Sequence, residues 1–265
     1  MQAFAAEMAK KHGFDAGGLK QQLHLTEFRE DIIKAISRPA EAKPWHEYRP
    51  IFLKPDRIDG GVKFWRDNEM LLQAVEAEYG VPAEIIVAII GVETRYGKHT
   101  GRYRVLDALT TLAFGYPKRA KFFRSELEQF LLLTREEQVD PSQAKGSYAG
   151  AMGKPQFISS SYRRYAVDYN GDGRRDLWGS NADILASVAN YFKVHGWRPG
   201  EPVTYQAMVK ECTVTARVDC TESAGGKQLE AFVKAGMKPS IRVDELLASD
   251  LRLDDRVRPA PEALS

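Results

Sequence analysis

The chain has 265 residues, 43% hydrophobic and 10% aromatic, enough apolar material to bury a core in one large or two modest domains. Its 38 basic and 36 acidic side chains leave a formal charge of +2, which argues against a dedicated nucleic-acid binder while leaving a polyanionic substrate open. No apolar run reaches the roughly 18 to 20 residues of a membrane span. The opening MQAFAAEMAKKHGF carries no charged-then-apolar leader, so the expectation is a cytoplasmic protein or one whose targeting segment lies outside this sequence.

In chain order, residues 1–38 read as helical, with Phe4 and Met8, then Leu19 and Leu23, at helical spacing and a break at Gly17-Gly18. Thr26, ahead of Arg29-Glu30, is expected to cap the next helix, which carries Phe28, Ile32, Ile33 and Ile36. Pro39, Pro44, Pro50 and Pro55 punctuate an extended connector bearing Trp45, Tyr48 and Phe52. A helix is expected over Phe64–Tyr79 on the stripe Leu71, Leu72, Val75 and Tyr79, ended by Gly80-Val81-Pro82. Another follows over Glu84–Glu93. Arg119–Thr134 gives a third, with Phe122, Phe123, Leu127, Phe130 and Leu131 on one side, and Ala182–His195 a fourth, stopped by Gly196. Beyond Gly200, Val203-Thr204-Tyr205, Cys212–Thr215 and Arg217-Val218 favour strands, and Lys227–Ala235 favours a short helix. Cys212 and Cys220 form either a short-loop disulfide or two free thiols, and the lack of a nearby His argues against a metal. The reading is a mainly α protein (α+β): an N-terminal helical region and connector over 1–60, a helical core over 61–200, and a small mixed or β region over 201–265.

Three motifs carry chemistry. Ile85–Gly97 reads IIVAIIGVETRYG, an apolar run that ends in an acid. On a helix Glu93 stacks over Ile89 and Ile90, and apolar walls raise a carboxyl pKa, which suits a proton donor. The plainer alternative is a helix-end carboxylate paired with Arg95 or Arg102. Second, GSYAGAMG at 146–153 followed by QFISSSY at 156–162 mixes small residues with Ser, Gln and Tyr tips. That suits close approach to a sugar, or an ordinary Gly-rich turn before a helix. Third, DYNGDGRRD at 168–176 matches the start of a calcium loop. Asp168, Asn170 and Asp172 supply oxygens at positions 1, 3 and 5, Gly173 makes the turn, and Arg174 offers its carbonyl. Position 12 is Gly179, not an acid, so Asp183 is the expected closing ligand, with Asp176 as a further candidate. The alternative is a solvated Asp/Asn/Gly turn. No serine-nucleophile elbow, phosphate loop or dinucleotide fingerprint is present, and the histidines lack zinc spacing.

GVETRYG, GSYAGAMGKPQF, DYNGDGRRDLW and SVANYFKVHGW, in this order and after RPAEAKPWHEYRPIFL, resemble the B-type lytic murein transglycosylases of bacterial cell walls over roughly residues 1–205. The resemblance implies a lysozyme-like helical core. It implies cleavage between N-acetylmuramic acid and N-acetylglucosamine, with a 1,6-anhydro end formed in place of water addition. It identifies Glu93 with the single catalytic glutamate, puts Ser147, Gln156 and Tyr191 along the glycan cleft, and makes the 168–183 loop a Ca²⁺ site. Tyr96, Tyr148 and Met152, within the same motifs, join the expected substrate-binding set. The implied partner is peptidoglycan, with other cell-wall enzymes if the chain serves as a scaffold, and the implied location is the periplasm. Two departures are visible. Ile158-Ser159 replaces the family's usual apolar residue and proline after Gln-Phe, and the chain ends at RPAPEALS without the family's aromatic, Asn/Tyr-rich cleft segment. The second makes a weakened wall-binding protein the first alternative; a lysozyme-type hydrolase is the next.

Overall fold

The computed structural model describes residues 1–37, 45–201, 203, 207–209 and 237–239. Two units emerge, residues 1–42 with 50–199 and residues 43–49 with 200–265. The first is mainly α. It begins with α1 (Gln2–His12), α2 (Ala16–His24) and α3 (Glu30–Ile36). The expected break at Gly17-Gly18 lies earlier. Gly13 ends α1 in the left-handed region, and the Asp15 carboxylate accepts the Gly17 and Gly18 N–H groups, so both glycines sit in the first turn of α2. Thr26 does not cap α3: its hydroxyl donates back to the Leu23 carbonyl, and Arg29 stands at the cap position.

In sequence, a short turn of helix, α4 (Trp45–Tyr48), which belongs to the second unit, and a 3₁₀ turn at Arg49–Ile51 precede the first unit's α5 (Pro55–Asp67) and α6 (Glu69–Tyr79). The single helix expected over Phe64–Tyr79 is thus two. Asn68 breaks it, because its side-chain amide donates to the Phe64 carbonyl at 2.8 Å and competes with the helical backbone. Pro55, read as connector, opens α5 from the first turn, where its missing N–H costs nothing.

The apolar run that ends in Glu93 forms α7 (Ala83–Thr94). A two-residue strand β1 (Tyr103–Arg104) leads into α8 (Val105–Gly115), which the periodicity did not announce. Every α8 residue from Val105 to Ala113 is buried, so the helix has no polar face to set a period. Asp107, on this buried helix, accepts from Arg104 Nε at 2.6 Å and from the Glu27 N–H at 3.1 Å, tying the N-terminal helices to the core. A 3₁₀ turn at Pro117–Arg119 precedes α9 (Ala120–Glu136), which packs on α8 through Phe123, Leu127, Phe130 and Leu131. Phe122 departs from the expected stripe. It lies one residue off the buried face, 36% exposed, beneath the Arg119 guanidinium.

Strand β2 (Lys145–Gly146) pairs antiparallel with β1, and single bridges from Gly146 to Met152 and from Met152 to Phe157 extend the pairing. Gly101 is required here, because at φ 100° a Cβ would lie 2.0 Å from the Gly146 carbonyl. Helices α10 (Ser159–Tyr165) and α11 (Asn181–Val194) complete the unit. The second unit contains β3 (Ala207–Val209) paired antiparallel with β4 (Met237–Pro239). Of the strand expected at 203–205 only Val203 is described, as a bend; the strands expected at 212–215 and 217–218, the helix at 227–235 and both cysteines lie outside the described residues.

Candidate active site

Helix α7 buries Ala83, Ile86, Val87, Ile90, Gly91 and Thr94, the 3–4 spacing of one helical face. Thr94, not Glu93, continues that face. Glu93 is exposed at its edge, one turn above the half-buried Ile89, so the expectation of an acid sunk in the apolar face is corrected. The apolar walls are nonetheless present. Glu93 and Ile89 line a cavity of about 320 Å³ together with Gln156, Phe157, Tyr191 and Phe192. Pro155, Ile158, Ser161 and Val188 complete the lining.

Three elements supply this groove. The C-terminal end of α7 brings the acid. The loop between β2 and α10 brings Gln156 and Phe157. Helix α11 brings Val188, Tyr191 and Phe192. Gln156 sits in the left-handed region at φ 53°, and its side-chain amide donates to the Gly153 carbonyl at 2.8 Å and the Thr100 carbonyl at 3.2 Å. Both donors are directed into the loop, which leaves the amide oxygen as the acceptor. Tyr191 is wedged among rings: Phe157 at 5.6 Å, Tyr165 at 5.1 Å, and His195 stacked at 4.0 Å. Such packing fixes an aromatic platform against which a sugar ring can lie.

The other predicted residues divide by burial. Ser147 supports the Gly-rich turn, its hydroxyl accepting the Ala149 and Ala151 N–H groups at 3.2 and 3.0 Å. Tyr148 is half-buried against the core. Met152 is fully buried in the bridged turn, so it holds the loop from beneath and does not face a glycan. Tyr96 also turns inward. Its ring packs on Phe64 at 5.6 Å and fills the space above Gly60, Gly61 and Gly91, and burial raises its phenol pKa. Gly91 is needed there, since a Cβ would lie 2.6 Å from the Tyr96 hydroxyl oxygen. Of the alternative partners considered for Glu93, Arg95 pairs with Asp56 and Arg102 lies over Tyr103. Ile89, Val188 and Phe192 were missed as groove residues. They are ordinary apolar positions, and only their spacing from Glu93 and Tyr191 on the same two helices signals them.

The 168–179 loop runs between α10 and α11. Asp168 accepts from the Gly171, Asp172 and Gly173 N–H groups at 2.9, 3.2 and 2.8 Å. Asn170 and Asp172 bond to each other, and Asp172 accepts from the Arg174 N–H. Asp183 is fully buried, and its two oxygens accept from the Tyr169, Asn170 and Asp176 N–H groups. It therefore fastens the loop to the first turn of α11. Asp176 accepts from the Trp178 and Gly179 N–H groups. Among the described residues no group of three or more His, Cys, Asp or Glu is gathered at metal-binding distance. The loop alone offers three carboxylates (Asp168, Asp172 and Asp176), the Asn170 amide and the Arg174 carbonyl. All are hard oxygen donors with lone pairs to spare after the backbone bonds, and they fit a hard cation that keeps some of its water.

A helical core that presents one glutamate from the end of a buried helix to an aromatic-walled groove is lysozyme-like, and a family model for the transglycosylase SLT domain matches residues 1–257. The chain belongs to that family. It is 47% identical over 216 residues to the membrane-bound lytic murein transglycosylase B of Escherichia coli K12, an alignment spanning 78% of this chain and 60% of that relative's length. The soluble lytic transglycosylase SltB1 of Pseudomonas aeruginosa superposes with a TM-score of 0.78 at 46% identity, covering 91% of this chain and 81% of that one. The Escherichia coli lytic transglycosylase Slt35, solved in complex with calcium, gives a TM-score of 0.78 at 42% identity over 91% of this chain and 76% of that one.

Proposed function

We propose that this chain is a lytic transglycosylase of peptidoglycan, cutting the β-1,4 bond between N-acetylmuramic acid and N-acetylglucosamine and leaving a 1,6-anhydro-muramoyl end. The observation that carries the reading is the convergence of Glu93, Gln156 and Tyr191 on one groove. A glycan strand filling that groove displaces water from Glu93 and sets it between sugar and apolar wall, which favours the protonated acid. Glu93 then protonates the leaving glycosidic oxygen. Once ionised, the same carboxylate takes the proton of the muramoyl 6-hydroxyl as that oxygen closes on the anomeric carbon. One residue serves as acid and then base, so no second carboxylate is required at inverting or retaining spacing. The acetamido group of the substrate assists the cationic centre, as in the substrate-assisted exceptions among glycosidases. Gln156 and Tyr191 orient the sugars, with Ser147 and Tyr148 along the same loop, while Tyr96 and Met152 brace the groove from within. The murein substrate places the chain in the periplasm; among the described residues no helix is long and apolar enough to cross a membrane. The test is a digest of purified peptidoglycan read by mass spectrometry. Anhydro-muropeptides support the reading, reducing ends make the protein a hydrolase, and wall binding without products makes it a binding protein.

We further propose Ca²⁺ at the 168–174 loop through Asp168, Asn170, Asp172 and the Arg174 carbonyl, with Asp183 as the residue that anchors the loop. The ion supplies charge neutralisation for the loop's clustered carboxylates. Ligand at a hundredfold excess over Kd stabilises a fold by about 2.7 kcal/mol. Excess chelator should therefore lower the melting temperature by roughly 5 to 10 °C. An unchanged melting temperature removes the metal assignment.

A further inference from the structure

The two residues after α7 are Arg95 at φ 54° and Tyr96 at φ 59°, consecutive non-glycine residues in the left-handed region. Each position is unfavourable for a residue with a Cβ and persists only where surroundings over-determine it. The backbone supplies part of the restraint, with the Arg95 N–H donating to the Gly91 carbonyl and the Tyr96 N–H to the Ile90 carbonyl. The Arg95–Asp56 pair and the Tyr96 ring against Phe64 supply more, and a further restraint runs through Thr94. Thr94 is 1% exposed. Its hydroxyl accepts the Gly97 N–H at 3.0 Å and donates to the Lys154 carbonyl at 2.8 Å, with a longer 3.3 Å approach to the Ile90 carbonyl.

The bond to Lys154 leaves the helix. Lys154 directly precedes Pro155, Gln156 and Phe157, which form the wall of the groove shared with Glu93. Lys154 is itself held in place. Its N–H donates to the Leu177 carbonyl at 2.8 Å, and its ammonium donates to Asn181 Oδ1 at 2.6 Å at the start of α11. Asn181 continues to Asn68, between α5 and α6, at 2.8 Å. The stem of Lys154 lies against Gly97, where a Cβ would meet its Cε at 2.9 Å. A buried hydroxyl on the residue next to the acid thus connects the acid-bearing helix end to the opposite wall, and through Lys154 to α11, which carries Tyr191.

We propose that Thr94 is a positioning residue for the acid: its hydroxyl sets the separation between Glu93 and the Gln156 wall of the glycan groove. The proposal deepens the transglycosylase reading and rests on it for its kinetic test. It has no need of that reading for its structural one. A displacement of about 1 Å in a reacting group can cost on the order of a hundredfold in rate. Thr94→Val keeps the shape and the packing methyl but removes both hydrogen bonds, whereas Thr94→Ser keeps the hydroxyl. For peptidoglycan digestion, kcat of Thr94→Val should fall about 30- to 100-fold with KM changed less than about threefold. Thr94→Ser should stay within about threefold of wild type. In ¹⁵N spectra of the whole chain, Thr94→Val should shift the Gln156 side-chain amide and speed exchange of the Gly97 amide, while Thr94→Ser leaves both near their wild-type values. The spectra test the coupling even if the wild-type chain yields no product, an outcome that would sink the transglycosylase reading alone. The proposal is overturned if Thr94→Val leaves kcat and the Gln156 signal unchanged. It is equally overturned if kcat, KM and melting temperature of Thr94→Val decline together, or if Thr94→Ser behaves like Thr94→Val.

Discussion

Glu93→Gln is expected to reduce glycan cleavage by at least a thousandfold while leaving binding of the strand within about threefold, because acid–base assistance by one positioned group is worth roughly 10²- to 10⁴-fold and in the proposed mechanism a single group does both steps. Gln keeps the size of the side chain and its place at the groove edge beside Ile89. It has no proton to give to the glycosidic oxygen and no basicity to accept one from the 6-hydroxyl. Exposure of Glu93 in the free protein makes the substitution gentle to the fold. Melting temperature should move little, and any loss of activity is then a loss of chemistry. The measurement is product formation from purified peptidoglycan, with binding read by sedimentation of the same substrate. Turnover by the variant near the wild-type rate would remove Glu93 from the mechanism. Loss of binding in parallel with loss of turnover would make it a substrate-holding residue.

Asp183→Ala should destabilise the protein by roughly 3 to 5 kcal/mol, the cost of removing one side of a buried, charge-assisted hydrogen-bond cluster. The carboxylate is fully buried, and its loss removes the acceptor of the Tyr169, Asn170 and Asp176 N–H groups. The damage extends along the loop. The same stretch delivers the Leu177 carbonyl to the Lys154 N–H, and so supports the groove wall. Asp183→Asn keeps one oxygen. It can serve Tyr169 and Asn170 or Asp176 but not both sides, and should fall between wild type and alanine. The midpoint of denaturant unfolding reads both variants. A change under about 1 kcal/mol for Asp183→Ala would show that the cluster relaxes onto other acceptors and that the anchor is dispensable.

Several elements are legible in the sequence alone. Helix α7 was found because Ile85–Ile90 is apolar and Pro82 opens the turn; α9 and α11 were found from their stripes and the stop at Gly196. The two-residue pairing of β1 with β2 is too short for alternation to register. Helix α8 was invisible for the opposite reason, since a helix buried on nearly all sides shows no period. Ser159, Ser160 and Ser161 read as hydrogen-bonding tips for a sugar, yet they open α10. The Ser160 N–H bonds to the buried Glu126 carboxylate, and only Ser161 reaches the groove.

The sequence by itself determined the local patterns on which the proposed chemistry rests, with Glu93 as its proposed acid. An acid at the end of an apolar helix, a Gly-rich loop with Gln156, and an oxygen-rich turn are local patterns, and local patterns survive in one dimension. Only the tertiary structure decided which neighbours each side chain meets. Thr94 and Lys154 are 60 residues apart, and nothing in either stretch announces their 2.8 Å bond. Tyr96 and Met152 look like ligand-facing residues in sequence and are turned inward, because glycines at 60, 61 and 91 open a slot for one ring and a bridged turn buries the other side chain. Asp183 was read as a metal ligand from its charge and distance along the chain. Its burial against three backbone donors makes it an anchor, since an oxygen's role depends on which donors the fold points at it.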